Sequence, residues 1–340
     1  MARFSLAVIL LTALLAVTVQ SIPSISVTGS KFFTSEGDQF YLKGTCITFV
    51  GLTMFAYWNL GVAYQLVEDD PLIDEAQCQR DAALMQQLGA NSIRVYHVDP
   101  AADHSGCMNA FASAGIYLWV DLDSFKTYIR LGAEPSWTQN KSDFFRAVMD
   151  NFQQYDNTAG FFVGNEVLND ITDSGSAPYL LSATVDLRAY GEAKGYRSIP
   201  IGYSATDTGA LPMLQNYLAC RPDASERLDF YALNSYRWCG QSTFEQSGYS
   251  IIGNDSANYP LPIFFSEVGC NTQPPRDFAD QAAIFTDMAD QWSGSIIYEW
   301  IQEMNHYGLI TYGPQQDASV NEGSSIVQGH ANIRERQKKC

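Results

Sequence analysis

Two segments of this chain each end an apolar run in a glutamate. They are Phe161-Phe162-Val163-Gly164-Asn165-Glu166-Val167 and Pro262-Ile263-Phe264-Phe265-Ser266-Glu267-Val268-Gly269. A continuous apolar run bounded by turn residues fits a strand buried on both faces, as in a parallel sheet. A carboxylate at the end of such a strand sits at the rim of the sheet, where α/β barrels build their active sites. Glu166 and Glu267 lie about 100 residues apart in the chain, so the fold could set them facing each other across a barrel mouth. A facing pair of carboxyls is what cleavage of a glycosidic bond requires, one as acid/base and one as nucleophile. Either glutamate alone could be an ordinary solvated residue after a strand. The repeated motif, with Asn165 directly before Glu166, points to chemistry.

The elements that would position this pair alternate between strand and helix. Lys31 to Leu42 alternates in polarity and reads as early β structure. Gln77 to Leu88 has apolar residues at helical spacing and stops at Gly89. Further helices are expected over Cys107–Ala114, Phe144–Tyr155, Thr184–Lys194 and Arg276–Trp292. Strands are expected over Ser92–Tyr96, Ile116–Val120, Ile199–Tyr203, Leu228–Asn234 and Ser295–Trp300, besides the two that end in glutamate. Alternation of this kind argues a parallel sheet, and its length suits a (β/α)8 TIM barrel of the α/β class. On that count Glu166 ends the fourth strand and Glu267 the seventh.

Composition narrows the function. With 20 Lys+Arg against 37 Asp+Glu the net charge is −17, so nucleic acid and anionic membranes are disfavoured partners. Residues 1–21 read as a secretory signal peptide, with Arg3, an apolar stretch from Leu6 to Val17, and the small-residue site Val19-Gln20-Ser21. Secretion makes disulfides the expected use of the seven cysteines, and the odd count leaves one thiol over. Spacing does not fix the pairing. The four histidines are scattered and no Cys-x-x-Cys occurs, so neither a metal nor a cofactor is expected. Asn140-Lys141-Ser142 and Asn254-Asp255-Ser256 are glycosylation sequons. The expected organisation is therefore a signal peptide at 1–21, a catalytic domain at 22–312 and a polar tail at 313–340. Within the domain, the uncharged apolar segment at about 45–61 is atypical. The stretch Thr45 to Leu66 is long enough to weigh as a membrane span, although Gly51, Asn59, Gly61 and Gln65 weaken that reading.

Several further stretches resemble glycoside hydrolase family 72, the fungal cell-wall β-1,3-glucanosyltransferases. They are Asn91 to Tyr96, Phe161 to Val167, Ile199 to Ala205, Asn234-Ser235-Tyr236 with Trp238-Cys239-Gly240, Phe264 to Asn271, Trp292-Ser293-Gly294, Tyr298-Glu299 and Gln302-Glu303. The resemblance runs from about Ile25 to Thr311. It implies Glu166 as general acid/base and Glu267 as nucleophile of a retaining transglycosylase that cleaves and re-ligates β-1,3-glucan. It implies that Asn165 holds the sugar 2-hydroxyl, that Tyr96, Tyr236 and Tyr298 line the catalytic subsite, and that Gln65 and Asp121 contact glucan. It also implies the disulfides Cys78–Cys107 and Cys239–Cys270, and pairs Cys220 with a cysteine beyond the barrel, for which Cys340 is the candidate. Partners would be glucan donor and acceptor chains, at the cell wall or the outer face of the plasma membrane. A plain secreted β-1,3-glucanase or a non-catalytic glucan-binding protein are the other readings.

The chain departs from the family pattern in three places. Lys43-Gly44 and Val62-Ala63-Tyr64-Gln65, contiguous in the family, are separated here by residues 45–61, which carry Cys46. A retained in-frame intron would account for this apolar excursion beside the cleft; a lid is the alternative. Leu66-Val67 replaces the usual Pro-Gly. The Cys-rich module, Ser-rich stretch and lipid-anchor signal of many members are not visible.

Overall fold

The structure is a computed structural model that describes residues 22–42, 61–66, 69–130, 135–209, 211–274 and 276–312, and the backbone of strands at 45–50, 53–58 and 325–326. The expected signal peptide, Cys340 and most of the tail 313–340 lie outside the described residues.

A small antiparallel sheet comes first, made of β1 (Ile25–Thr28), β2 (Lys31–Thr34) and β3 (Gln39–Phe40). A two-stranded antiparallel hairpin follows, β4 (Thr45–Val50) with β5 (Thr53–Trp58). Then eight strands close into a parallel barrel: β6 (Gly61–Ala63), β7 (Ser92–Val95), β8 (Tyr117–Asp121), β9 (Thr158–Asn165), β10 (Ile201–Thr206), β11 (Phe230–Asn234), β12 (Ile263–Val268) and β13 (Trp292–Ile297). Helices α1 (Glu75–Leu88), α2 (Ser105–Ser113), α3 (Gln139–Phe152), α4 (Ala177–Lys194), α5 (Leu211–Ala219), α6 (Tyr249–Asp255) and α7 (Asp280–Phe285) fill the successive connections. A short ladder of β14 (Ile310–Thr311) and β15 (Ser325–Ile326) ends the described chain. The expected (β/α)8 barrel is therefore present, with Glu166 directly after its fourth strand and Glu267 within its seventh.

Local chemistry accounts for the helix boundaries. The Asp74 side chain accepts from the Gln77 amide to open α1, and Gly89 closes it with a left-handed φ of 82°. Helix α4 starts earlier than expected, because Pro178 is tolerated in a first turn whose amides have no helical partner anyway. One sequence-based expectation fails. The helix over Arg276–Trp292 contracts to Asp280–Phe285, and Trp292 opens β13 instead. Phe278 sits at a φ of 55°, Asp277 turns the chain by accepting from the Ala279 amide, and Trp292 stacks on Phe265 of the adjacent strand with centroids 4.1 Å apart. Helices α5 and α6 have no clear counterpart in the sequence pattern.

Two apolar layers hold the barrel. One lies between strands and helices; the other fills the barrel interior. Phe32 of β2 inserts from below and meets Trp119, Phe230 and Phe264 edge-on, with centroids 5.0 to 6.0 Å apart, so the N-terminal sheet acts as a plug. The open C-terminal end is left to the polar residues described below.

The segment 45–61 interrupts the first barrel strand without displacing it. Leu42 bridges Gly294 of β13, and Gly61 pairs with Ile296, two residues further along the same strand. In an uninterrupted strand the partner of Ile296 would be the second residue after Leu42, which in sequence is Gly44. The excursion therefore leaves and rejoins the strand at equivalent positions. A glycine is required there, since a Cβ on Gly61 would lie 2.7 Å from the Ser295 carbonyl oxygen and 2.9 Å from the Ile296 side chain. The hairpin backbone comes against α7, on the outer layer, and its two short strands are not a membrane-spanning helix. Deleting Thr45 to Gly61 puts Gly44 where Gly61 stands and keeps the register of Val62, Ala63 and Gln65. The variant is expected to fold with unchanged circular dichroism, a higher soluble yield and at least wild-type activity. Loss of the folded state on deletion would make the hairpin an integral part of the barrel.

Candidate active site

Strand β9 delivers Asn165 and Glu166 to the rim. Glu166 has a φ of 51°, a left-handed conformation that costs a non-glycine residue about 1–2 kcal/mol. Its amide donates to the Ser204 carbonyl at 2.9 Å, which ties it to β10. Strained backbone of this kind concentrates at functional positions. The register places Asn234 of β11 opposite Glu267 of β12. Both glutamates are thereby brought to one end of the barrel.

Arg94 organises the space between them. It is wholly buried in β7, and a buried guanidinium requires partners for its donors. Nε and Nη2 donate to the two Asp121 oxygens at 3.0 and 2.8 Å. Nη2 also reaches Asn165 Oδ1 at 2.9 Å, and Nη1 reaches Ser204 at 3.1 Å, Asn234 Oδ1 at 3.4 Å and Glu267 Oε1 at 3.4 Å. Burial opposes the Arg94 charge, but Asp121, Tyr96 and Glu267 hold its pKa above the ordinary arginine value.

Asn234 is the second hub. Its Oδ1 also accepts from Ser204 and Ser266, at 2.9 and 2.8 Å. That fixes the amide so that Nδ2 donates to Glu166 Oε1 and to Asn165 Oδ1, each at 3.0 Å. Asn165 in turn commits its oxygen to Arg94 and Asn234, which leaves its NH2 as the group it can offer a ligand. Glu166 and Glu267 are thus joined through the Arg94–Asn234 contact.

Three tyrosines expected at the site surround Glu267. The Tyr236 hydroxyl donates to Glu267 Oε2 at 2.6 Å. Tyr298 meets both Tyr96 and Tyr236 edge-on, with centroids 6.2 and 6.4 Å apart. Gln65 Nε2 donates to the Tyr298 hydroxyl at 2.6 Å and to Glu299 at 2.8 Å. The structure therefore gathers Gln65, Tyr96, Asn165, Glu166, Tyr236, Glu267 and Tyr298 at one mouth. Asp121 lies beneath them, 1% exposed, with both oxygens engaged by Arg94. Sequence reasoning gave no site role to Arg94, Asn234 or Glu299, although they lie in the quoted motifs, nor to Tyr307, whose ring packs on Tyr236 and Tyr298 at 5.6 and 5.3 Å. A signal for Arg94 was available: an arginine inside the apolar strand Ser92–Val95 cannot be buried alone.

The two carboxyls differ in exposure and in electrostatics. Glu166 is half-buried, whereas Glu267 is buried. Burial pushes the Glu267 pKa up to about 7; Arg94 and Tyr236 oppose the rise and the Glu166 charge adds to it. Sequence reasoning gives Glu166 the acid role and Glu267 the nucleophile role; the desolvation that raises the recessed Glu267 carboxyl was not legible there. Because the two interact, the acid limb of a rate profile belongs to the pair rather than to either residue.

The raised carboxyls also set the pH dependence of stability. Burial lifts Glu299 to about 7 and Asp280 to about 6, and it also raises Asp81, Asp121 and Asp123. The folded state then binds more protons than the unfolded chain across this range, so its stability falls as pH rises through 6 and 7. The thermal midpoint is expected to be higher at pH 5 than at pH 8, by on the order of 5 °C. A midpoint that rises from pH 5 to pH 8 in differential scanning calorimetry would contradict these shifts.

Both expected barrel disulfides are present: Cys78–Cys107 ties α1 to α2, and Cys239–Cys270 ties the loops after β11 and β12 beside Tyr236 and Glu267. Cys220 is exposed and free among the described residues. Its suggested partner Cys340, and the Cys46 side chain, lie outside them. Among the described residues no cluster of three His, Cys, Asp or Glu side chains could hold a metal. No described helix is long and apolar enough to cross a membrane.

Comparison with known proteins agrees with this geometry. The glucanosyltransferase model of glycoside hydrolase family 72 matches residues 14–334. The pH-responsive protein 2 of Candida albicans is 40% identical over 299 residues, covering 87% of this chain and 53% of that protein. The 1,3-beta-glucanosyltransferase PGA4 of the same yeast is 39% identical over 298 residues, covering 86% and 63%. A Glu-to-Gln mutant of Saccharomyces cerevisiae Gas2p, solved in complex with laminaritetraose and laminaripentaose, superposes with a TM-score of 0.82 at 34% identity, covering 94% of this chain and 68% of that one. The chain spans between about half and two thirds of the length of these curated relatives. A family model that matches nearly the whole chain, and the closed barrel with both glutamates at one mouth, establish that this protein belongs to the glucanosyltransferase family, glycoside hydrolase family 72.

Proposed function

We propose that this protein is a retaining β-1,3-glucan transglycosylase, secreted to the cell wall or the outer face of the plasma membrane. The observation that carries the reading is the Glu166–Asn234–Arg94–Glu267 constellation at the C-terminal mouth of the barrel. Glu267, oriented by Arg94 and Tyr236, attacks the anomeric carbon. The more accessible Glu166 protonates the departing glycosidic oxygen. The covalent glucosyl-enzyme is then released when Glu166, now a base, takes the proton of an incoming hydroxyl. Asn165 offers its NH2 to the sugar 2-hydroxyl. Tyr96, Tyr236 and Tyr298 wall the subsite, Gln65 holds Tyr298, and Asp121 acts by holding Arg94, which orients Asn165 and Glu267.

The glucanosyltransferase relatives support transfer to a glucan 3-hydroxyl over transfer to water. The intact register of Val62 to Gln65 supports a working cleft despite the excursion. Incubation with a reduced, end-labelled laminari-oligosaccharide tests the reading. Products longer than the donor are expected. Products that are only shorter would make the protein a glucanase, and binding without products a glucan-binding protein.

A further inference from the structure

Where the loops after β6 and β7 meet, they enclose a histidine that the catalytic constellation does not use. His104, the residue before α2, is wholly buried. Its Nδ1 lies 3.1 Å from Asn151 Oδ1, and its Nε2 lies 2.8 Å from Asp70 Oδ2. The neighbours fix which atoms donate. Asn151 Nδ2 donates to the carbonyls of Pro100 and Ala102, at 3.1 and 2.9 Å, so Asn151 turns its oxygen to the ring. Nδ1 must therefore carry a proton. Asp70 accepts on both oxygens, from the Leu72 amide at 2.8 Å and the Asp99 amide at 2.7 Å. A second proton must lie between Nε2 and Asp70. A neutral imidazole beside a carboxylate is one proton short of these contacts, so the site is complete only as an imidazolium–carboxylate pair.

The surroundings favour that charge. Asp70 faces the ring from the loop after β6, Asp99 and Asp103 act on it from the loop after β7, and α3 contributes the neutral Asn151 and Phe152. These acids offset the positive end of the α2 dipole, which opposes a cation at this position. Burial also opposes the charge, but Asp70, Asn151 and Asp99 outweigh it and hold the His104 pKa above the ordinary imidazole value. The pair lies on the path to the subsite. The Asp69 carbonyl oxygen accepts from His97 Nε2 at 3.0 Å, and His97 follows Tyr96. Residues 69 and 70 thus tie the segment that follows Gln65 to the segment that follows Tyr96.

We propose that His104, as an imidazolium bound to Asp70, is a positioning residue that holds the loops after β6 and β7 together, and so sets Gln65 and Tyr96 for the glucan donor only while it is protonated. The donor role rests on the glucan reading above. Loss of the proton leaves Nε2 and the Asp70 carboxylate facing each other as two acceptors, and the contact opens. The disulfide Cys78–Cys107 still ties α1 to α2, so the loops loosen while the barrel stays closed. Because folding raises this pKa, the clamp is fully present below the ordinary imidazole range and is lost as pH rises through the folded value.

The protonation state is read from the side-chain nitrogen shifts of the four histidines by NMR, with His104→Gln identifying the His104 signals. His104 is expected to keep the shifts of an imidazolium to a higher pH than free imidazole does. The kinetic test measures KM and kcat for laminarihexaose across the same pH range. In the wild-type protein KM is expected to rise about threefold or more through the His104 transition, with a smaller change in kcat. His104→Gln does not titrate and is expected to show a raised KM with no such step. Asp70→Asn, whose NH2 can donate to a neutral ring, is expected to remove the step as well and to return His104 to the ordinary range. These two variants fail independently, and the wild-type titration needs neither to fold. A His104 that loses its proton at or below the pH at which free imidazole does would overturn the clamp. So would a KM without a step in the wild type, or a step that persists in both variants. Failure of the wild-type protein to turn over any β-1,3-glucan would instead overturn the functional reading and the donor role with it, while the imidazole titration would still decide whether the clamp forms.

Discussion

Replacing Glu267 by Gln is expected to lower turnover of β-1,3-glucan by about 10⁴-fold or more, with glucan binding largely retained. The amide keeps the shape and keeps an oxygen for Tyr236 and Arg94, but it cannot form the glucosyl ester. Glu166→Gln removes the acid/base, whose contribution is about 10²–10⁴-fold. The two variants should separate on a donor with an aryl leaving group that departs without protonation. Glu166→Gln is expected to form the covalent intermediate from such a donor at near-normal rate, and Glu267→Gln to remain inactive. Near-normal glucan turnover by either variant would remove that residue from the mechanism. An experimental structure is expected to place the two carboxyls about 5–5.5 Å apart, the retaining separation. Tyr236→Phe tests the electrostatics independently. Loss of the 2.6 Å hydrogen bond removes a group that favours the carboxylate, so the acid limb of the rate profile should move to higher pH.

The second large effect is expected at Arg94. Replacing it by Met leaves Asp121 buried and unpaired and strips donors from Asn165, Asn234, Ser204 and Glu267. Breaking a buried ion pair from one side costs about 3–5 kcal/mol, whereas replacing both partners by apolar residues is often neutral. Arg94→Met is therefore expected to lower stability by that amount in urea unfolding. Adding Asp121→Leu is expected to recover a large part of the loss. Activity should not recover, because Glu267 and Asn165 still lack the group that orients them. If the double variant regains turnover together with stability, Arg94 is a structural residue only. If Arg94→Met costs less than about 1 kcal/mol, the ion pair is more solvated than its burial indicates.

How much of this was legible in the sequence follows from the range of the forces involved. The eight-stranded barrel, the positions of Glu166 and Glu267 at the ends of its fourth and seventh strands, and the stop of α1 at Gly89 rest on local pattern. Apolar runs, turn residues and caps act over a few neighbours, so one stretch of chain suffices to read them. The resemblance of short motifs supplied the tyrosines, Gln65 and the pairing of Cys78 with Cys107 and of Cys239 with Cys270, which spacing leaves undetermined. The long helix expected over Arg276–Trp292 failed because the stacking of Trp292 on Phe265 is a contact between strands that helical periodicity does not encode. Only the tertiary structure decided that Arg94 and Asn234 join the two carboxyls, because the partners of Arg94 alone come from five different strands and depend on barrel closure and register. It likewise decided the high pKa of Glu267, since desolvation is a property of the assembled mouth and not of the residue. The excursion illustrates the division most directly. Its apolar, uncharged composition is plain in the sequence, but its insertion between equivalent register positions, opposite an Ile296 that admits only glycine, emerges from the pairing of β6 with β13.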